Sequence, residues 1–116
     1  MCRLADSTQK ILIIEDQPDD LETLQLRLQN CAAHFSYAPD GQTALDLLHE
    51  ATRQQNPFSL VILDYRLPDR DGLELLRELR ADPELNRVKV LLLTCADELN
   101  VRVDALQFGA DDFLMK

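Results

Sequence analysis

The sequence has no apolar run approaching the roughly 18 residues that a membrane span needs. Its opening segment, Met1-Cys2-Arg3-Leu4-Ala5-Asp6-Ser7, has no apolar stretch long enough for a secretory signal. Cysteine is scarce: Cys2, Cys31 and Cys95 are odd in number and at no metal-ligand spacing. That excludes a disulfide framework and implies a reducing, cytoplasmic compartment. Basic charge is scarce as well. Lys and Arg number 12 against 21 Asp and Glu, a formal net charge of -9. Non-specific attraction to nucleic acid or an anionic membrane is therefore excluded, and basic partners or bound cations are favoured. No helix-turn-helix, basic patch, internal repeat, low-complexity tract or linker occurs. With 46% hydrophobic and 28% charged residues, the 116 residues suit one folded domain over 1–116, with residues 1–9 as an amino-terminal extension.

What the chain does have is an alternation of short apolar runs with amphipathic segments. Lys10 to Ile14 predicts a first strand, and Pro18-Asp19-Asp20 opens a helix carrying Leu21, Leu24 and Leu28 at helical spacing. A second strand is expected around His34 to Ala38. Pro39-Asp40-Gly41 then turns into a helix with Ala44, Leu45, Leu48 and Ala51 on one face. After Asn56-Pro57, the run Leu60-Val61-Ile62-Leu63 suits a strand buried on both faces, and it ends in Asp64. Leu73, Leu76 and Leu79 mark a third helix, stopped by Asp82-Pro83, and Val88 to Leu93 a fourth strand. Leu99, Val103 and Leu106 mark a fourth helix closed by Gly109, and Phe113-Leu114-Met115 a fifth strand. Strict βαβ alternation with short connections predicts an open, doubly wound parallel sheet with helices on both faces.

In such sheets ligands sit outside the carboxyl ends of the strands. Those ends read Glu15 and Asp16, then Asp64, then Thr94, then Lys116. An ionisable carboxylate at the mouth of a buried strand is unfavourable unless something there uses it. Two carboxylates about 5 Å apart repel by roughly 3 kcal/mol at an effective dielectric of about 20, so three together demand a proton or a cation. Oxygen-only ligands select a hard ion, and Mg²⁺ is the one held by one or two carboxylates with water and phosphate oxygens. Beside such an ion a carboxylate can act as a nucleophile toward phosphorus. Lys116 would supply a mobile positive charge, and Thr94 a hydroxyl able to bond an added phosphoryl group. Ordinary roles compete, since Glu15 and Asp16 also suit the start of a helix, where acids favour the dipole.

The segments Ile-Ile-Glu15-Asp16, Leu63-Asp64-Tyr-Arg-Leu-Pro68-Asp-Arg-Asp71-Gly72, Leu-Leu-Leu-Thr94 and Phe108-Gly109-Ala110-Asp111-Asp112-Phe113-Leu114-Met115-Lys116 stand in this order. From Lys10 to Lys116 the sequence resembles the receiver domains of bacterial two-component response regulators. The resemblance implies a flavodoxin-like, five-stranded parallel sheet in the order 2-1-3-4-5. It implies Asp64 as phosphoacceptor, with Glu15, Asp16, Asp64 and the backbone carbonyl of Arg66 serving Mg²⁺. Thr94 would be the switch hydroxyl, Lys116 the phosphoryl-binding lysine, and Phe113 the aromatic that turns inward on activation, although Phe113 equally suits plain core packing. The phosphodonor would be a phosphohistidine on a sensor histidine kinase or a histidine phosphotransfer protein. A homodimer through the fourth helix and fifth strand, and an output domain beyond Lys116, are further implications.

Some positions depart from the family pattern. Arg66 lies two residues after Asp64 and Ala96 two after Thr94, positions that flank the path of water attacking an acyl phosphate. A long cation at Arg66 is expected to alter the phosphoryl lifetime. It also argues against an Asp-nucleophile phosphohydrolase, because such enzymes generally place a second acid there. A pseudo-receiver, an interaction module of the same fold without phosphotransfer, is the alternative reading. Cys95 reads as a compact structural side chain, His34 and His49 as surface residues, and Asp111-Asp112 as solvated loop. Receiver domains also continue into a fifth helix, which is absent before the stop at Lys116. The sequence is thus expected to be the ordered part of a longer chain, a truncated one, or one whose apolar edge near Phe113 and the first strand is covered by a partner.

Overall fold

The computed structural model describes residues 9–30, 33–94, 104 and 106–115. In chain order they form β1 (Lys10–Ile14), α1 (Pro18–Leu28), β2 (His34–Ala38), α2 (Gly41–Arg53), β3 (Leu60–Asp64), α3 (Gly72–Ala81), β4 (Lys89–Thr94) and β5 (Asp112–Met115). The strands make one five-stranded sheet in the order β2-β1-β3-β4-β5. Every neighbouring pair is parallel. This is the expected flavodoxin-like topology. Boundaries shift by one residue at β4, which gains Thr94 and loses Val88, and at β5, which gains Asp112.

The sheet is apolar on both faces because successive strand residues feed different cores. Leu12, Ile14, Val61, Leu63, Val90 and Leu92 pack with Ala44 and Leu48 of α2 and Leu75, Leu76 and Leu79 of α3. Ile11, Ile13, Ile62 and Leu93 face the other way, against Leu21, Leu24 and Leu28 of α1. Phe113 is half-buried against the first of these cores. On the α1 side an apolar groove of about 290 Å³ runs past Leu24, Leu28, Ile62, Leu91, Leu93 and Leu114. Leu114, next to Phe113, is half exposed there.

Of the expected fourth helix, Leu99 and Val103 lie outside the described residues. Asp104, Leu106 and Gln107 are helical, and the Phe108 N–H donates to the Asp104 carbonyl at 2.9 Å. Gly109 follows at φ +110°, the left-handed position that glycine fills after a helix end. Polar clamps brace the end of the domain where the strands begin. Arg80 donates to the carbonyls of Gly109 (2.9 Å), Asn86 (3.1 Å) and Val88 (2.6 Å), and to the Asp111 carboxylate (3.2 Å). Asp111 is exposed, as a loop acid should be, yet it also accepts from the Val90 N–H at 2.8 Å. His49 is more than a surface residue. Its ring nitrogens lie 2.9 Å from Asp82 and 3.1 Å from Glu84, tying α2 to the end of α3.

At the opposite end, α3 starts hard against β3. The Gly72 N–H donates to the Tyr65 carbonyl, and a Cβ on Gly72 would lie 2.8 Å from both the Asp64 carbonyl oxygen and the Tyr65 Cα. Those are backbone atoms, which cannot swing aside. Gly72→Ala should therefore destabilise the protein by about 1–3 kcal/mol, although alanine ordinarily favours a helix. Urea unfolding of the two proteins measures the difference, and a variant at least as stable as the parent would contradict this reading of the contact.

Candidate functional site

The parallel register of β1 on β3 pairs Ile14 with Leu63. The next residues out, Glu15 and Asp64, thus meet at the carboxyl edge of the sheet. Carboxylate oxygens of Glu15, Asp16 and Asp64 all lie within 4.8 Å of one another. Glu15 is 4% exposed and Asp64 3%, while Asp16 is half-buried. Local structure helps hold the acids. Gln17, the cap residue of α1, offers no side chain to the helix but donates its N–H to Glu15 Oε2 at 3.2 Å. Its amide Nε2 reaches Asp16 Oδ2 at 3.3 Å.

β4 adds the hydroxyl. Asp64 pairs with Leu93, so Thr94 ends its strand one step farther along the same edge, 1% exposed. Phe113 pairs with Leu92 on β5, behind Thr94 rather than at the acids. Lys116 lies outside the described residues, as do Cys95 and Ala96. Arg66 sits in the loop between β3 and α3, in an isolated antiparallel bridge with Asp71. At 4.8 Å, two of these charges repel by about 1 kcal/mol in a water-like dielectric and about 3.5 kcal/mol at an effective dielectric near 20. The donor set is all oxygen, which suits a hard divalent cation of the Mg²⁺ or Mn²⁺ kind and not a soft one.

Residues 11–116 match the response regulator receiver domain model. The chain belongs to the response regulator receiver family. It is 39% identical, over 92% of its length, to the transcriptional regulatory protein QseB of Haemophilus influenzae, of which the match covers 45%. The receiver thus spans less than half the length of that relative. Among solved structures it resembles the phosphorylated cyanobacterial phytochrome response regulator RcpA, at 26% identity and a TM-score of 0.83, covering 93% of this chain and 80% of that one. It also resembles the receiver domain of the sensor histidine kinase PA1611 from Pseudomonas aeruginosa, crystallised with magnesium in its active-site cleft. That match has 30% identity and a TM-score of 0.74, covering 93% of this chain and 84% of that one.

Sequence reasoning passed over the tip of the β3–α3 loop. Asp69 Oδ1 accepts from the Gly41 N–H and Oδ2 from the Gln42 N–H, each at 2.9 Å, so it caps the start of α2 from 28 residues away. The helix's own cap, Asp40, accepts from the Thr43 N–H at 2.7 Å. Arg70 lies across Gly41, where a Cβ would come within 2.8 Å of its Cδ, and pairs with Glu78, Gln42 and Asp69. Burial disfavours the charged form of Asp69, but the two amides and Arg70 outweigh it and hold the carboxyl below its usual range. The hydrogen bond to Glu78 raises the Arg70 guanidinium further, against its own burial. In the sequence, Pro68 and Asp69 stand out only as part of the segment that resembles the receiver family.

Two outcomes follow for the receiver. Asp16→Asn should stabilise the protein without divalent cation, by about 1–3 kcal/mol, because it relieves repulsion among the acids. If the acids hold Mg²⁺, it should also abolish most of the melting-point rise expected of the parent with Mg²⁺; calorimetry with and without Mg²⁺ reads both effects. For Asp69 the folded-state pKa is depressed, so its contribution is complete above the ordinary value of 3.8 and is lost as pH falls through the lower folded value. The stability gap between parent and Asp69→Asn should therefore be widest near neutrality and close in acid. Urea midpoints across pH measure it, and a gap that widens in acid would refute the assignment.

Proposed function

We propose that this receiver is a phosphorylation switch in which Asp64 accepts a phosphoryl group from a phosphohistidine on a sensor histidine kinase or histidine phosphotransfer protein. The observation that carries the reading is the convergence of Glu15, Asp16 and Asp64, with atoms within 4.8 Å, beside Thr94 at one sheet edge. A magnesium-bound and a phosphorylated relative of the same fold support it. A carboxylate oxygen of Asp64 forms a bond to phosphorus as the phosphorus–nitrogen bond breaks, and the imidazole departs with the electron pair of that bond. The product is an aspartyl phosphate on this chain and an unphosphorylated histidine on the donor.

Glu15, Asp16, Asp64 and the backbone carbonyl of Arg66 would hold Mg²⁺, which when bound neutralises negative charge on the acids and the phosphoryl oxygens. Thr94 then donates its hydroxyl to the phosphoryl group, Lys116 pairs with its charge, and Phe113 turns inward to report the change. The switch is one domain over 1–116, with residues 1–9 as an extension, and it acts in the cytoplasm. Among the described residues, no helix is long and apolar enough to cross a membrane. Relatives such as QseB extend well beyond the matched region, so an output domain past Lys116 and a homodimer through the fourth helix and fifth strand belong to the same proposal. Nucleic acid and membrane contacts are assigned to neither face of this acidic domain.

Incubation with Mg²⁺ and acetyl phosphate tests the reading. Slow labelling to one phosphoryl group per chain, lost without Mg²⁺ and in Asp64→Asn, is the expected result. No labelling of the folded parent would make the chain a pseudo-receiver that acts by interaction alone. Rapid, continuous release of phosphate would make it a phosphohydrolase.

A further inference from the structure

The loop between β3 and α3 is pinned at its neck by backbone contacts. The Tyr65 N–H donates to the Leu93 carbonyl at 3.1 Å, Arg66 bridges Asp71, and Gly72 closes onto Tyr65. Asp71 in turn caps α3 at the Glu74 N–H, 2.8 Å away. The tip, Leu67 to Arg70, reaches outward to α2. There both carboxylate oxygens of Asp69 are used on consecutive backbone N–H groups, and Arg70 lies over Gly41. Between the tip anchor and Arg66 stand Leu67, packed against the main core, and Pro68, whose ring fixes its own φ. A displacement at Asp69 therefore passes to the Arg66 peptide with little slack.

We propose that Asp69 is a positioning residue for the cation site, holding the Arg66 carbonyl in place by clamping the loop tip to the first two amides of α2. The proposal rests on the reading that the Arg66 carbonyl serves a divalent cation beside Glu15, Asp16 and Asp64. A clamp between charged carboxylate and helix amides is strong and directional, because the helix start also carries partial positive charge. It makes the start of α2 part of the site's support. Outer groups that orient ligands typically change metal affinity by about 10–100-fold when removed. Asp69 acts through the backbone at one remove, so the low end of that range is expected.

The test compares Mg²⁺ binding, measured calorimetrically with Mg²⁺ alone, in the parent, Asp69→Ala, Asp69→Asn and Asp40→Ala. Asp40→Ala also removes an α2 cap and destabilises the helix, but leaves the loop clamp intact. Asp69→Ala should weaken Mg²⁺ binding by about tenfold. Asp69→Asn, which keeps one acceptor, should fall between it and the parent and serves if the alanine variant does not fold. Asp40→Ala should bind within about twofold of the parent, since the Asp69 clamp is untouched. A parent that binds Mg²⁺ while Asp69→Ala and Asp69→Asn bind equally well would overturn the proposal and leave the functional reading standing. Equal weakening in Asp40→Ala and Asp69→Ala would also overturn it, reducing Asp69 to a helix cap. A parent that binds no Mg²⁺ would overturn the functional reading itself and this proposal with it.

Discussion

The pairing of β1 with β3 is the constraint from which the site follows. Ile14 opposite Leu63 brings Glu15 and Asp16, the first two residues after β1, to Asp64. The register is specified because a slip would draw Asp64 inward among Leu12, Ile14, Leu63 and Leu92, where an unpaired carboxylate is strongly unfavourable. Apolar burial on both faces therefore drives together charges that electrostatics would separate. The two energies meet at one sheet edge, where a bound cation would relieve the second without giving up the first.

α3 is held at both of its ends, and differently at each. Near the acids its start is fixed by Gly72 against β3 and by the Asp71 cap. At the far end Arg80 gathers three backbone carbonyls and Asp111, while His49 reaches over from α2 to Asp82. The second set couples the base of β4 and the turn at Gly109 to the same helix that begins beside Asp64. α3 thus runs packed between the acids and the β5 side, as the proposed switch would need, since packed elements pass on small shifts rather than deforming continuously.

Strands, helices and the strand-end acids were legible in the sequence because each is a local pattern. Leu60 to Leu63 announces a doubly buried strand, Asp64 its end, and Gly109 a helix stop, all within a few residues. The order of strands came from the family resemblance, because alternation alone fits more than one doubly wound order. The clamps were not legible, because Asp69 finds Gly41 across 28 positions and Arg80 finds Gly109 across 29. Neither pairing leaves a periodicity, and Asp69 and Asp111 carry the composition of ordinary turns. His49 failed for the same reason: its carboxylates come from the α3–β4 connection, far along the chain. Lys116, read as a strand-end residue and given its role by the resemblance, lies outside the described residues.

The acid cluster also bears on which donors the site favours. A domain of net charge -9, with carboxylates at its mouth, repels any free phosphate ester during approach. Bound Mg²⁺ offsets that locally but leaves the surrounding field negative, and salt screens it only beyond about 8 Å. The proposed donor, a phosphohistidine presented by a protein, would escape this limit. On the proposed function, docking surfaces away from the mouth would supply the association energy and present the phosphoryl group to Asp64 already oriented. On that reading, the charge that would recruit a cation also disfavours small anionic donors relative to a docked one, with no residue dedicated to the selectivity.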